Sequence, residues 1–159
     1  MEMLSTNNWE RPIYIATTVG SDYHLGLDPY LELTGMAYRI TPTRSENGQP
    51  RVNTELMYEN MLHKFRYGNV NKPGIYLDEN TIRMCRTHRM MFMQLAEALF
   101  DEGQYDKCLE VLDFAEEMLP GYNVSYDYTS ATMAAYYYEL GHADKANAIM
   151  TKVADNSVE

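Results

Sequence analysis

The chain reads as a mainly helical (α+β) fold with a small β element at its N-terminal end. Apolar side chains recur at helical spacing through the second half, in stretches interrupted by Gly103-Gln104-Tyr105 and by Gly141. Short β-branched and aromatic runs, bounded by glycine and proline, are confined to the first third. With 159 residues, 45% of them hydrophobic and including 14 Tyr and 12 Met, the chain can build a real core in one compact unit, which argues against disorder.

Taken in order, Pro12-Ile13-Tyr14-Ile15-Ala16-Thr17-Thr18 and Met36-Ala37-Tyr38-Arg39-Ile40-Thr41 are the two expected strands, with Gly20, Gly35 and Pro42 as their boundaries. Ser21 to Leu33 reads as a loop with one helical turn after Asp28-Pro29. Ser45-Glu46-Asn47-Gly48-Gln49-Pro50 is a polar turn, after which Asn53 or Thr54 caps a helix whose Tyr58, Met61, Leu62 and Phe65 form one stripe. Tyr67 to Pro73 is loop. Asp78 then caps a helix reaching about Glu102, with Glu79 near its positive N-terminal end. At about 25 residues this helix outruns an ordinary three-turn one, and its Arg83, Arg86, His88 and Arg89 need a surface that the first third is expected to supply.

Gly103 separates the stripe Phe92, Leu95, Ala96 and Leu99 from the stripe Cys108, Leu112 and Ala115, and Pro120 closes the second. These are the W-x₂-L-G-x₂-Y…A-x₃-F…P positions of a tetratricopeptide-like helical hairpin, with apolar replacements that keep its packing logic. The register recurs at Gly141, with Met133, Ala134 and Tyr137 before the turn and Ala146, Ile149, Met150 and Val153 after it as one buried face. The two glycines are 38 residues apart, against about 34 for the repeat, and the surplus falls in Gly121-Tyr122-Asn123-Val124. Each such repeat buries its apolar face against neighbours and about three are needed. Residues 1–75, a strand-and-helix segment, are therefore expected to cap the two hairpins of residues 76–159.

Four further runs carry a resemblance: Asn8-Trp9-Glu10-Arg11-Pro12-Ile13-Tyr14-Ile15-Ala16, Tyr23-His24-Leu25-Gly26-Leu27, Gly35-Met36-Ala37-Tyr38-Arg39-Ile40-Thr41-Pro42 and Tyr76-Leu77-Asp78-Glu79-Asn80. From about Asn7 to Ala154 the chain resembles the C-terminal region of a family of large multi-spanning bacterial membrane proteins, mostly uncharacterised, that is similar to the protein O-mannosyltransferases. The resemblance implies that the chain is a fragment, that sugar-transfer chemistry resides in a membrane-spanning part outside it, and that this part is extracytoplasmic (periplasmic). No catalytic residue carries over. The implied role is accessory: docking of an acceptor protein or peptide, or support beside the membrane bundle.

Chemistry within the chain is sparse. A net charge of −10 opposes nucleic-acid binding, which needs a basic surface. No stretch approaches the roughly 18 consecutive apolar residues of a membrane helix, and no apolar run behind a basic start gives the pattern of a signal peptide. Cys85 and Cys108 fall about 20 Å apart along antiparallel helices, too far for a disulfide, so both are expected to be free and buried. His24, His63, His88 and His142 are scattered, and Cys85-x-x-His88 alone supplies two of the four ligands of a structural zinc, so no metal is expected. No phosphate-cradling glycine motif occurs, and no cofactor is expected.

Two residue sets remain as candidate binding sites. Arg11, Asp22, Tyr23, His24, Asp28 and Arg39 form the dense polar-aromatic set outside the repeats, which as a pocket would suit a sugar or peptide and would give a free-standing enzyme or sugar-binding module. The plainer reading pairs Arg11 and Arg39 with Asp22 or Asp28 to fix a loop. In the repeats, Met90, Met93, Glu97 and Phe100 lie beside the buried stripe of the first helix, and Tyr128, Ala131, Ala135 and Tyr138 on the third, where Met and aromatic side chains make an adaptable binding face. The plainer reading is that the N-terminal third fills that groove. Glu110, Asp113, Glu116 and Glu117 read as the solvated face of the second helix. The expected function is a non-catalytic interaction or scaffolding domain of a membrane glycosyltransferase-like protein.

Overall fold

A computed structural model describes residues 2–156; Met1 and residues 157–159, which belong to the expected capping and hairpin segments, lie outside the described residues. The chain divides at Asn60 and Met61 into two compact units.

The first unit opens with a short helix, α1 (Glu2–Asn7), for which the sequence carries no cap signal. Asn8 and Trp9 follow at φ 47° and 60°, a left-handed exit that ends it. The expected strands are present as β1 (Tyr14–Ala16) and β3 (Ala37–Ile40), paired antiparallel with Ile15 opposite Tyr38. Two further strands complete the sheet in the order β1-β3-β2-β4: β2 (Leu31–Leu33), antiparallel to β3, and β4 (Arg51–Val52), parallel to β2. Both are too short to show alternation, and each carries a charged residue. That charge is satisfied across the ladder, where Arg51 Nε donates to Glu32 Oε1 at 3.0 Å. The turn expected after Asp28-Pro29 is a 3-10 turn over Asp28–Tyr30, and a second one spans Ser21–Tyr23. Leu31, Leu33 and Ile40 are the buried apolar side chains of the sheet.

Asn53 caps α2 (Thr54–Tyr58), its Oδ1 accepting from the Leu56 N–H at 2.9 Å, and a π-helical turn continues over Glu59–Lys64. Of the stripe expected there, Met61 is fully buried, and Tyr58, Leu62 and Phe65 are half-buried.

The second unit holds two helical hairpins, α3 (Glu79–Asp101) with α4 (Tyr105–Met118) and α5 (Tyr128–Glu139) with α6 (Ala143–Asn156). Asp78 caps α3 by accepting from Thr81 N at 2.9 Å, and those hydrogen bonds hold its carboxyl below the usual range. Both hairpins turn in the same way. Gly103 (φ 73°) and Gly141 (φ 82°) take the left-handed position. The next N–H in each case reaches back to close the helix end, Gln104 to Leu99 O and His142 to Tyr137 O, each at 2.8 Å. The core between the helices is Phe92, Leu95, Ala96, Leu99, Cys108, Val111, Leu112, Ala115, Met133, Ala134, Tyr137, Ala146 and Ile149. Each large member contributes about 1.5–3 kcal/mol of apolar burial. Met150, expected in the buried face of α6, is 40% exposed; Ala146, Ile149 and Val153 fall at i, i+3 and i+7, and Met150 lies on the flank of that line. Cys85 and Cys108 are free and buried, and burial pushes the Cys108 thiol up to about 11.

Candidate functional site

Of the polar set in the first unit, the structure brings His24 and Asp28 together. The two 3-10 turns fold the loop so that His24 is only 4% exposed, with Nδ1 2.7 Å from Asp28 Oδ1 and its ring edge-on to Tyr38 at 5.8 Å. Burial, and then the nearby Asp28 carboxylate, push the Tyr38 phenol up. Arg11, Asp22 and Tyr23 are exposed. Arg39, half-buried in β3, stands opposite Tyr14 and Glu32. The expected pairing of Arg11 or Arg39 with Asp28 gives way to a local one, because four residues across a tight turn bring the imidazole to the carboxylate first. A separate apolar hollow of about 220 Å³ lies among Leu4, Trp9, Leu27, Tyr30, Ile40, Thr41 and Pro42.

The helical unit is organised around Arg89, one of the basic residues of α3 expected to need an outer surface. It is instead 1% exposed. Its Nη1 donates to Ser125 O at 2.9 Å, and its Nη2 to Leu119 O and Val124 O at 2.9 and 2.7 Å. The guanidinium also lies 5.4 Å from the centre of the Tyr126 ring. An arginine is suited to this because its planar fork donates several hydrogen bonds at once. The inter-hairpin segment carrying the surplus residues is thereby pinned to α3. Tyr122 and Asn123 of the same segment bind outward, to Asn71 O and to Val70 O and Lys72 O. His88 is occupied as well, its Nδ1 2.8 Å from Met84 O and its ring against Tyr67.

Arg89 reaches Ser125 just before α5, and Phe100, eleven residues on, meets Tyr136, eleven residues beyond Ser125, at 5.3 Å between ring centres. Helices α3 and α5 therefore run side by side in the same direction. Their outer sides carry the second candidate set. Met90, Tyr128 and Tyr138 are exposed by 39%, 86% and 45%, Glu97 is exposed, and Met93 and Phe100 are half-buried. The Tyr138 hydroxyl donates to Asn147 Oδ1. At the turn end, a cleft of about 440 Å³ opens among Phe100, Tyr105, Glu139 and Leu140.

The acidic run of α4 departs from expectation. Glu110 and Glu117 are exposed, but Asp113 and Glu116 are half-buried and engaged. Tyr137 donates to Asp113 Oδ1 at 2.9 Å, and Lys145 Nζ bonds both oxygens at 2.6 and 2.9 Å. Tyr126 donates to Glu116 Oε2 at 2.6 Å, while Glu116 Oε1 is buried with no hydrogen-bond partner. Desolvation pushes the Glu116 carboxyl up, against the lowering effect of the Tyr126 hydroxyl and Arg89. Helical periodicity puts Asp113 and Glu116 on one side of α4, but nothing local shows that α5, α6 and the segment before α5 bring two tyrosines and a lysine onto it. Among the described residues no group of three or more His, Cys, Asp or Glu side chains could hold a metal ion.

Among the described residues no helix is long and apolar enough to cross a membrane. No curated protein and no solved structure matches the chain. Residues 1–56, which hold the four-stranded sheet and the start of α2, match the family model of TMEM260-associated domain 2, and this similarity links the chain to TMEM260-like proteins as a domain of a membrane-associated protein.

Proposed function

We propose that the chain is a non-catalytic interaction domain of a TMEM260-like, glycosyltransferase-like membrane protein, lying on the extracytoplasmic side. Its tetratricopeptide-like hairpins dock a protein or peptide acceptor on the outer sides of α3 and α5. The observation that carries this reading is the placement of Met90, Tyr128 and Tyr138 in the open on two adjacent, co-directed helices whose opposite sides form the core. Met and Tyr side chains present large, adaptable contact area at a modest ordering cost. An enzyme or sugar-binding module using the Asp22 to Asp28 loop ranks second, since His24 is buried against its own neighbour's carboxylate rather than offered to a substrate.

A photo-crosslinking residue placed at Tyr128 or at Tyr23 of the full-length protein in its own membrane compares the two surfaces directly. The docking reading expects a discrete adduct from position 128 that Met90→Asp abolishes. An adduct from position 23 alone would transfer the function to the loop.

A further inference from the structure

The α3/α5 face is uneven in charge. From Met90 to Asp101, α3 contains Glu97 and Asp101 and no lysine or arginine, and α5 contains Glu139 and no lysine or arginine. The cation of α3 next to this stretch, Arg89, is buried and donates to three backbone carbonyls, and the exposed Arg83 and Arg86 lie a turn or more before Met90, at the end of α3 away from Glu97, Asp101 and Glu139. The phenol of Tyr136, on α5 against Phe100 of α3, is pushed up by burial first and then by the nearby Glu97 and Asp101 carboxylates. The same negative field would act on anything that entered the cleft beside it. Three rings wall that end of the face, with Phe100 5.1 Å from Tyr105 and 5.3 Å from Tyr136. Glu139 and Leu140 complete the cleft of about 440 Å³. Aromatic faces next to carboxylates attract a side-chain cation by both charge and ring quadrupole.

We propose that the α3/α5 face receives a basic, apolar-rich polypeptide segment, whose apolar side chains lie along Met90, Met93 and Tyr128 and whose lysine or arginine enters the cleft lined by Phe100, Tyr105 and Glu139. The proposal rests on the docking reading above and adds the chemistry of the partner. Charge complementarity selects this occupant. An acidic segment, or an anionic membrane surface, would meet Glu97, Asp101 and Glu139 at a repulsive distance. A wholly apolar segment would leave those carboxylates unpaired. A chain of net charge −10 also attracts cations without specificity, so the test must separate the face from the overall charge.

The probes are three labelled peptides of one length, alternating leucine with arginine, with serine or with glutamate, titrated against the whole chain at about 0.15 M salt, where the screening length is about 8 Å. The arginine peptide is expected to bind, and Glu97→Gln with Glu139→Gln to weaken it about tenfold, the loss of two exposed charge contacts. The charge-matched control Asp106→Asn with Glu117→Gln, on α4, is expected to change binding by less than about twofold. Tyr128→Ala should weaken the arginine peptide as well, and at 86% exposure its loss leaves the fold intact. Equal weakening by the α3/α5 pair and the α4 pair would overturn the proposal as unspecific attraction. Serine or glutamate peptide binding as tightly, yet sensitive to Tyr128→Ala, would overturn the basic partner and leave the docking face standing. Binding insensitive to Tyr128 and to the carboxylates alike would remove both.

Discussion

In the first unit few apolar side chains are fully withdrawn from water, Leu31, Leu33 and Met57 among them, and polar groups make many of the joins. Glu32 binds Arg51, His24 binds Asp28, and Thr41 Oγ1 donates toward the carbonyls of Tyr30 and Thr43. In the second unit a continuous apolar core joins α3 through α6, and the main polar device is one buried cation held by neutral carbonyls. A sheet of strands two to four residues long cannot bury much, so it depends on local side-chain ties. Helices of 12 to 23 residues bury whole faces and need a polar anchor only where the chain between hairpins must be fixed. The outer sides of α3 and α5 can then leave Met90, Tyr128 and Tyr138 exposed, because their inner sides form the core.

The sharpest way to break this contrast is Arg89→Met. Three backbone carbonyls would lose their donor, and the helical unit should lose about 3–5 kcal/mol in chemical denaturation. A loss under about 1 kcal/mol would mean that water or another donor replaces it easily and that the segment is held by other contacts. Leu112→Ala should cost about 2–5 kcal/mol through transfer and cavity terms, since Leu112 of α4 is fully buried. The matched change Leu33→Ala in β2 removes a side chain only 2% exposed, yet it should fall at the low end of that range, about 2 kcal/mol, because a thin layer collapses onto the space more readily. If Leu33 proved the costlier, the ranking of the two cores would be reversed.

Gly121→Ala drives a Cβ into the Tyr126 ring and should cost about 1–3 kcal/mol through overpacking. Thermal unfolding should show it, and an unchanged midpoint would show that Tyr126 moves freely despite Arg89 and Glu116. Gly103→Ala meets open space, so its cost is conformational, about 1 kcal/mol.

The smallest effect depends on pH. The folded Glu116 carboxyl titrates above its ordinary range because burial opposes its charge. Its favourable contribution is therefore complete below the unfolded carboxylate pKa, and is lost as pH rises through the higher folded value. The stability of the wild type relative to Glu116→Gln should accordingly decline as pH rises from the ordinary carboxylate range through the raised folded value, and level off above it. A difference that instead grew with pH would mean that Arg89 and Tyr126 outweigh desolvation at this site.

Periodicity alone determined the four long helices, their two glycine turns and most of their core, because a repeat of 3.6 residues is a local property that burial then follows. Gly103 and Gly141 could be read as left-handed positions for the same reason: no other residue takes that backbone as cheaply. The exposed Met90, Glu97, Tyr128 and Tyr138 of α3 and α5 were legible as lying beside each apolar stripe. Strands β2 and β4 were not, since two or three residues show no alternation and their pairing is decided by partners distant in sequence. Tertiary structure also decided the fate of the polar side chains. Arg89 looks like its exposed neighbours Arg83 and Arg86 in sequence, and only the carbonyls of Leu119, Val124 and Ser125, at least thirty residues away, make its burial favourable. Asp113 and Glu116 likewise read as surface charge until α5, α6 and the segment before α5 set Tyr137, Lys145 and Tyr126 against them. A charged group's preference for water or for the interior is set by the donors and acceptors around it, and those arrive only when distant segments pack.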